Sequence, residues 1–217
     1  MDDQHDLFRP RGLHGVDHRI VSALRACGSD PRVAGAARAL SWAGEHGAVW
    51  VAAGLAGAVV DRPRRGAWLR GTALTAGAHA ASSVVKRVVR RPRPAHVEPL
   101  VGTVGRHSFP SSHATSAAAA AVAFGALGAR AVPPLAAAVC VRLQSCVGTS
   151  VRLCPERTLS RSPIGALGAR AVPPLAAAVC VSRLVAGVHY PSDVAAGAAL
   201  GALTARLGAR WMTGGTA

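Results

Sequence analysis

Lysine is almost missing from this chain: Lys86 stands alone beside 24 arginines, so an ammonium is used at one position only. Acidic residues are scarce as well, 10 against 25 basic ones, giving a formal net charge of +15 and a pI near 11.6. Aromatic residues make up 4%, which argues against a nucleic-acid module that stacks bases on rings. The five cysteines are odd in number and form no C-x-x-C pair, so neither a zinc site nor a disulfide framework is indicated. No carboxylate cluster is available to hold a hard metal ion. The first forty residues are polar and mixed in charge, without the basic start, apolar run and cleavage site of a signal peptide. Apolar residues are not lacking. Half of the chain is hydrophobic, which excludes a disordered basic tail. An Ala- and Gly-rich helical protein at a membrane fits this balance.

Uncharged or nearly uncharged segments recur at Gly47 to Val60, Gly71 to Val85, Ala114 to Ala129 and Val194 to Ala205. Each is shorter than the roughly 20 residues that cross a hydrocarbon core, although flanking residues can extend a span. Their composition predicts helix rather than strand. Buried helices of a soluble bundle are the competing interpretation. The fold expected is all-α, a membrane bundle of about five or six helices. The domain expected covers 40–210, between a polar basic tail at 1–39 and a short tail at 211–217. Inside it Gly125 to Val141 reads GALGARAVPPLAAAVCV, and Gly165 to Val181 repeats it letter for letter. Solenoid repeats diverge and come in larger numbers. The repeat therefore reads as a duplicated insertion of about 40 residues within 125–181, without chemistry of its own.

Three polar clusters interrupt the apolar chain. Lys86 to Pro94 (KRVVRRPRP) is either a basic collar on a membrane helix or a phosphate clamp, one ammonium plus a guanidinium that grips two oxygens. Ser108 to His113 precedes an Ala-rich helix. Its serines can serve as caps, while the same helix N-terminus can seat a phosphate and His113 can give a proton. The third cluster holds Ser182-Arg183 and then His189 to Asp193. Asp193 is the sole acidic residue after Glu156, and a carboxylate leading an apolar helix needs a partner or a cavity. His189, four residues earlier, is within reach on a helix, and a carboxylate on one imidazole nitrogen leaves the other free to attack. A satisfied polar pair at a helix end is the plainer alternative.

The three clusters match the pattern K-x6-R-P, P-S-G-H and S-R-x5-H-x3-D, as Lys86…Arg93-Pro94, Pro110-Ser111-Ser112-His113 and Ser182-Arg183…His189…Asp193. In this the chain resembles the type 2 phosphatidic acid phosphatase (PAP2) superfamily, which shares its fold with vanadium haloperoxidases. The likeness spans roughly residues 40 to 210. Ser112 stands where the family has glycine, and the duplication puts forty extra residues between the second and third motifs. The segment Leu40 to His46 (LSWAGEH) resembles small actinobacterial members, whose substrates include decaprenylphosphoryl-5-phosphoribose.

The resemblance implies hydrolysis of a phosphate monoester or diphosphate on a polyprenyl or glycerol lipid. His189 would be the nucleophile, Asp193 its orienting carboxylate and His113 the proton donor. Lys86, Arg93, Arg183, Ser111 and the Ser112 backbone would bind the phosphoryl oxygens. No metal or cofactor is expected, and no nucleic acid; membrane lipids and the lipid phosphate are the expected partners. Undecaprenyl diphosphate, phosphatidic acid and phosphatidylglycerol phosphate remain alternative substrates. A haloperoxidase or an inactive structural membrane protein is the alternative in kind. If the first two apolar segments each cross once, six arginines of the tail share a side with four non-motif arginines of the 86–113 loop. The positive-inside bias then places the active site at the cytoplasmic face of a multi-pass protein.

Overall fold

A computed structural model describes residues 13–103, 105–127 and 163–214, with the side chains of Leu13 and 163–170 left aside. Among these residues there are eight α-helices and no strand: α1 Leu13–Cys27, α2 Pro31–Ala43, α3 Ala48–Val60, α4 Arg65–Val89, α5 Ser112–Ala126, α6 Pro163–Val185, α7 Pro191–Leu207 and α8 Ala209–Thr213. The all-α expectation holds, with more helices than the five or six expected. The surplus comes from the ends. The region expected as a polar tail carries α1 and α2, because its apolar residues fall on one face of each: Val21 of α1, and Ala34, Ala37 and Leu40 of α2, are buried. Asp30 caps α2 by accepting from Arg32 N at 2.7 Å, and Pro31 fixes its first turn. At the other end Met212 of α8 is buried and its carbonyl accepts from Arg70 Nε at 3.0 Å.

Helix α5 is the centre of the bundle, with α4, α6 and α7 packed around it. Its alanines permit this: Ala114, Ala117, Ala119, Ala120 and Ala123 are all buried, so neighbours approach from several sides. Helix α7 comes closest. A Cβ added to Gly197 would collide with the Ser111 carbonyl, and one at Gly201 with the Thr115 carbonyl, so this face must stay glycine. Asp193 lies on the same face, one turn earlier, and the close contact brings the start of α7 against the start of α5: Ser111 N donates to the Asp193 carbonyl at 3.0 Å. The larger side chains Trp50, Trp68, Phe124 and Met212 fill the core.

The second repeat copy forms most of α6, with Pro173 and Pro174 in its interior. The first copy beyond Leu127 lies outside the described residues. Proline inside a helix removes a hydrogen bond and crowds the preceding turn. Deleting 142–181 joins Val141 to Ser182 and restores the same local sequence, now with Pro133 and Pro134 soon after α5, where they can begin a helix rather than interrupt one. The shortened protein should melt no lower than the full chain and keep its specific activity. An inactive but well-expressed deletion would give the extra segment a role.

Candidate active site

The end of α4, the first turn of α5, the end of α6 and the loop before α7 meet at one end of the bundle, around a cavity of about 320 Å³. Lys86, Arg93, Ser112, His113, Arg183 and His189 all face it. Six of the eight residues predicted from sequence therefore share one wall-to-wall space, drawn from positions up to 103 residues apart.

Two of the cations, Lys86 and Arg93, are held by backbone oxygens that aim them. Lys86 Nζ donates to the Ser108 carbonyl at 3.2 Å and to that of Pro110. Arg93 donates from Nε to Gly105 O and from Nη1 to Val188 O, both at 2.8 Å. Arg183 is 4% exposed, and its Nε has no hydrogen-bond partner among the described residues. A buried guanidinium N–H without an acceptor at a cavity wall is suited to an anion.

His189 is buried, its Nε2 lying 3.4 Å from Arg93 Nη1 and its Nδ1 3.7 Å from Asp193 Oδ2. One ring nitrogen thus faces the cations and the other faces the carboxylate, at a separation longer than a hydrogen bond. Burial and the surrounding Arg93, Arg183 and Lys86 push the imidazole down to about 4, against the opposing pull of Asp193. The ring is accordingly neutral at physiological pH, with a lone pair available. His113 Nε2 lies 3.1 Å from the Ser41 carbonyl of α2, which can fix its orientation. Gly44 leaves room for that ring: a Cβ there would stand 2.9 Å from His113 Cδ2.

Ser111 and Asp193 do not reach the cavity wall. Ser111 is fully buried and caps α5 by accepting from Ala114 N at 3.4 Å, so of the two serines only Ser112 lines the cavity. Ser112 lines the cavity, with its hydroxyl 2.8 Å from that of Ser82. Asp193 sits behind His189 and accepts from Tyr190 N at 2.8 Å.

Sequence reasoning missed what holds Asp193. Arg91 Nη1 donates to Asp193 Oδ1 at 2.9 Å and to Ser192 Oγ at 2.6 Å, while its Nη2 donates to Asp17 Oδ2 at 2.9 Å. Ser192 N donates to Asp17 Oδ1 at 3.1 Å, and the Ser192 hydroxyl donates to the same carboxylate. The guanidinium also lies 4.2 Å above the centre of the Tyr190 ring. Although burial opposes both charges, hydrogen bonds from Ser192 and Arg91 hold the Asp17 carboxyl below its ordinary range. Bonds to Asp17 and the field of Asp193 likewise hold Arg91 above its own. In sequence Arg91 is one of four arginines between residues 87 and 93, and nothing in that run distinguishes it.

Comparison with known proteins agrees with the motifs. The family model described as the PAP2 superfamily matches residues 67–216. The decaprenylphosphoryl-5-phosphoribose phosphatase of Mycolicibacterium smegmatis is 39% identical over 190 residues, covering 87% of this chain and 82% of that protein. The protein of the same description from Mycobacterium tuberculosis is 36% identical over 195 residues, covering 89% and 86%. No solved structure matches. With the family model matched over most of the bundle and such relatives aligned along nearly the whole chain, the protein belongs to the PAP2 superfamily and is a phosphatase.

Proposed function

We propose that this phosphatase removes the phosphate monoester of a polyprenyl-linked 5-phosphoribose through a phosphohistidine intermediate. The observation that carries the reading is the single cavity on which Lys86, Arg93, Arg183, His113 and His189 converge. His189 Nε2 attacks phosphorus, the bond from phosphorus to the sugar oxygen breaks, and His113 gives that oxygen a proton. His113 then takes a proton from water, the water oxygen attacks phosphorus, and the bond to Nε2 breaks to release phosphate. The three cations and the start of α5 neutralise charge on the equatorial oxygens throughout. The choice of substrate rests on the named relatives and on their high coverage.

The same proposal puts α3 to α7 in a membrane with the site at the cytoplasmic face. No single helix among the described residues is long and apolar enough to cross alone, while α2 with α3 passes as a pair bent by 49°. Exposed Leu55, Val59, Val84, Leu203 and Leu207 on outward faces support lipid contact. Arg25 and Arg38 donate to the Glu98 and Leu100 carbonyls of the 86–113 loop, which supports placing these basic residues on one side.

Purified full-length protein in detergent should release phosphate from the phosphoribosyl lipid in preference to undecaprenyl diphosphate or phosphatidic acid. Turnover should be inhibited by vanadate and unaffected by EDTA. A folded preparation inert on every lipid phosphate would favour an inactive structural protein. In intact cells a cysteine placed at Glu98 should resist an impermeant thiol reagent; its labelling would reverse the sidedness.

A further inference from the structure

The Leu40 to His46 segment, which the catalytic motifs leave unused, folds against them. The carbonyl of Ser41 meets His113, Gly44 accommodates its ring, and the chain then turns sharply from α2 into α3. That turn is made by two successive left-handed residues, His46 (φ 52°, ψ 14°) and Gly47 (φ 72°). A histidine in this region is strained, and such strain is retained where side-chain placement matters. The result is that Glu45 and His46 line the cavity. His79 of α4 joins them, its ring centre 6.5 Å from that of His46, and its Nδ1 is buried without a hydrogen-bond partner among the described residues.

This part of the lining adds a carboxylate near the cations, the charge of Glu45 acting on Arg183. Among the described residues no hydrogen bond or salt bridge engages the Glu45 carboxylate, and a carboxylate beside a phosphate seat opposes anion binding. Its placement becomes productive if it faces the other half of the substrate. An attack by His189 expels the leaving oxygen on the far side of phosphorus, towards the group that protonates it. The residues next to His113 therefore meet the alcohol from which phosphate departs. A carboxylate accepts two hydroxyl hydrogens from adjacent carbons, as carboxylates do with ribose in dinucleotide sites. An alkyl or diacylglycerol leaving group would leave these polar groups unpaired.

We infer that Glu45, His46 and His79 form a subsite for the hydroxyls of a phosphorylated pentose, on the leaving-group side of the phosphate. The inference rests on the phosphatase reading and gives this chain's own residues the task of selecting the sugar. The cavity, at the small end of ligand pockets, suits a sugar phosphate head, with the lipid chain outside.

The test compares two soluble monoesters, methyl β-D-ribofuranoside 5-phosphate and n-pentyl phosphate, with p-nitrophenyl phosphate as the check on chemistry. Full-length protein in detergent should prefer the riboside by kcat/KM. Glu45→Gln should cut that preference about 10–100-fold, the scale of losing hydrogen bonds to a charged acceptor. His46→Gly keeps the backbone turn and relieves its strain, so it should melt no lower than wild type while losing preference too. A wild-type enzyme indifferent to the two alkyl esters, or a Glu45→Gln variant that loses the same factor on both, would overturn the subsite and leave the phosphatase reading intact. Failure of the folded wild type to hydrolyse any of the three would overturn both.

Discussion

Turnover should fall by at least about 10⁴-fold when His189 is replaced by alanine, on every phosphate ester and whatever its leaving group, because the atom that bonds to phosphorus is gone. Asp193→Asn should keep the ring but weaken control of its tautomer, with a loss of up to on the order of 10⁴-fold. His113→Ala should behave differently. A sugar or alkyl oxygen leaves poorly as an anion and needs the proton His113 supplies, whereas p-nitrophenolate leaves well without it. The defect on a lipid phosphate should fall in the range of roughly 10²–10⁴-fold expected of general acid catalysis and be much smaller on p-nitrophenyl phosphate. Phosphate trapped on the protein should be acid-labile and absent from His189→Ala. Equal losses for His113→Ala on both substrates, measured in single turnovers so that later water attack does not intervene, would remove it from the role of leaving-group acid.

The second large effect is expected at Arg91, which touches no part of the cavity. Its guanidinium is the cation shared by two buried carboxylates, Asp17 and Asp193. Removing one partner of a buried ionic group commonly costs about 3–5 kcal/mol, a large share of the roughly 5–15 kcal/mol that holds a domain folded. Arg91→Ala should therefore lower the melting midpoint sharply. It should also change the chemistry in a direction that instability alone would not produce. Asp193, stripped of its cation and 3.7 Å from His189, would draw a proton onto the imidazole. The His189 ring, held near 4 in the intact site, would then titrate higher. Only the neutral ring attacks, so the acid limb of kcat/KM should move to higher pH by about one to two units. Arg91→Lys supplies a charge without the fork that spans Asp17, Ser192 and Asp193. It should fold better than the alanine variant, retain KM and lose kcat by about 10–100-fold. Unaltered kcat and pH profile in Arg91→Lys would reduce Arg91 to a structural bond.

The division between what the sequence disclosed and what it withheld follows from distance along the chain. Lys86 and Arg93, or His189 and Asp193, sit within seven residues of each other, and their spacing carries their relation. The Arg91–Asp17 pair is separated by 74 residues, and only the docking of α1 beside the loop before α7 makes it. Ser111 and Ser112 show a finer limit. As adjacent residues at the start of a helix they point in different directions, one into the bundle as a cap and one into the cavity. Composition alone could not say which. Helices α1 and α2 have the average polarity of a tail, and only the helical spacing of their few buried positions marks them as packed. Gly197 and Gly201, by contrast, stand four residues apart in sequence, a local spacing that suits the close contact α7 makes against α5.

The bond between Asp17 and Arg91 also has a temporal meaning. Asp17 belongs to α1, whereas Ser192 and Asp193 are added to the chain 175 and 176 residues later. Until then the arginine has no second carboxylate to hold, and His189 itself has not been made. Competence is thus acquired only once the start of α7 has been made and meets α1. A nascent or truncated product carries the basic phosphate-gripping loop without the means to cleave what it grips.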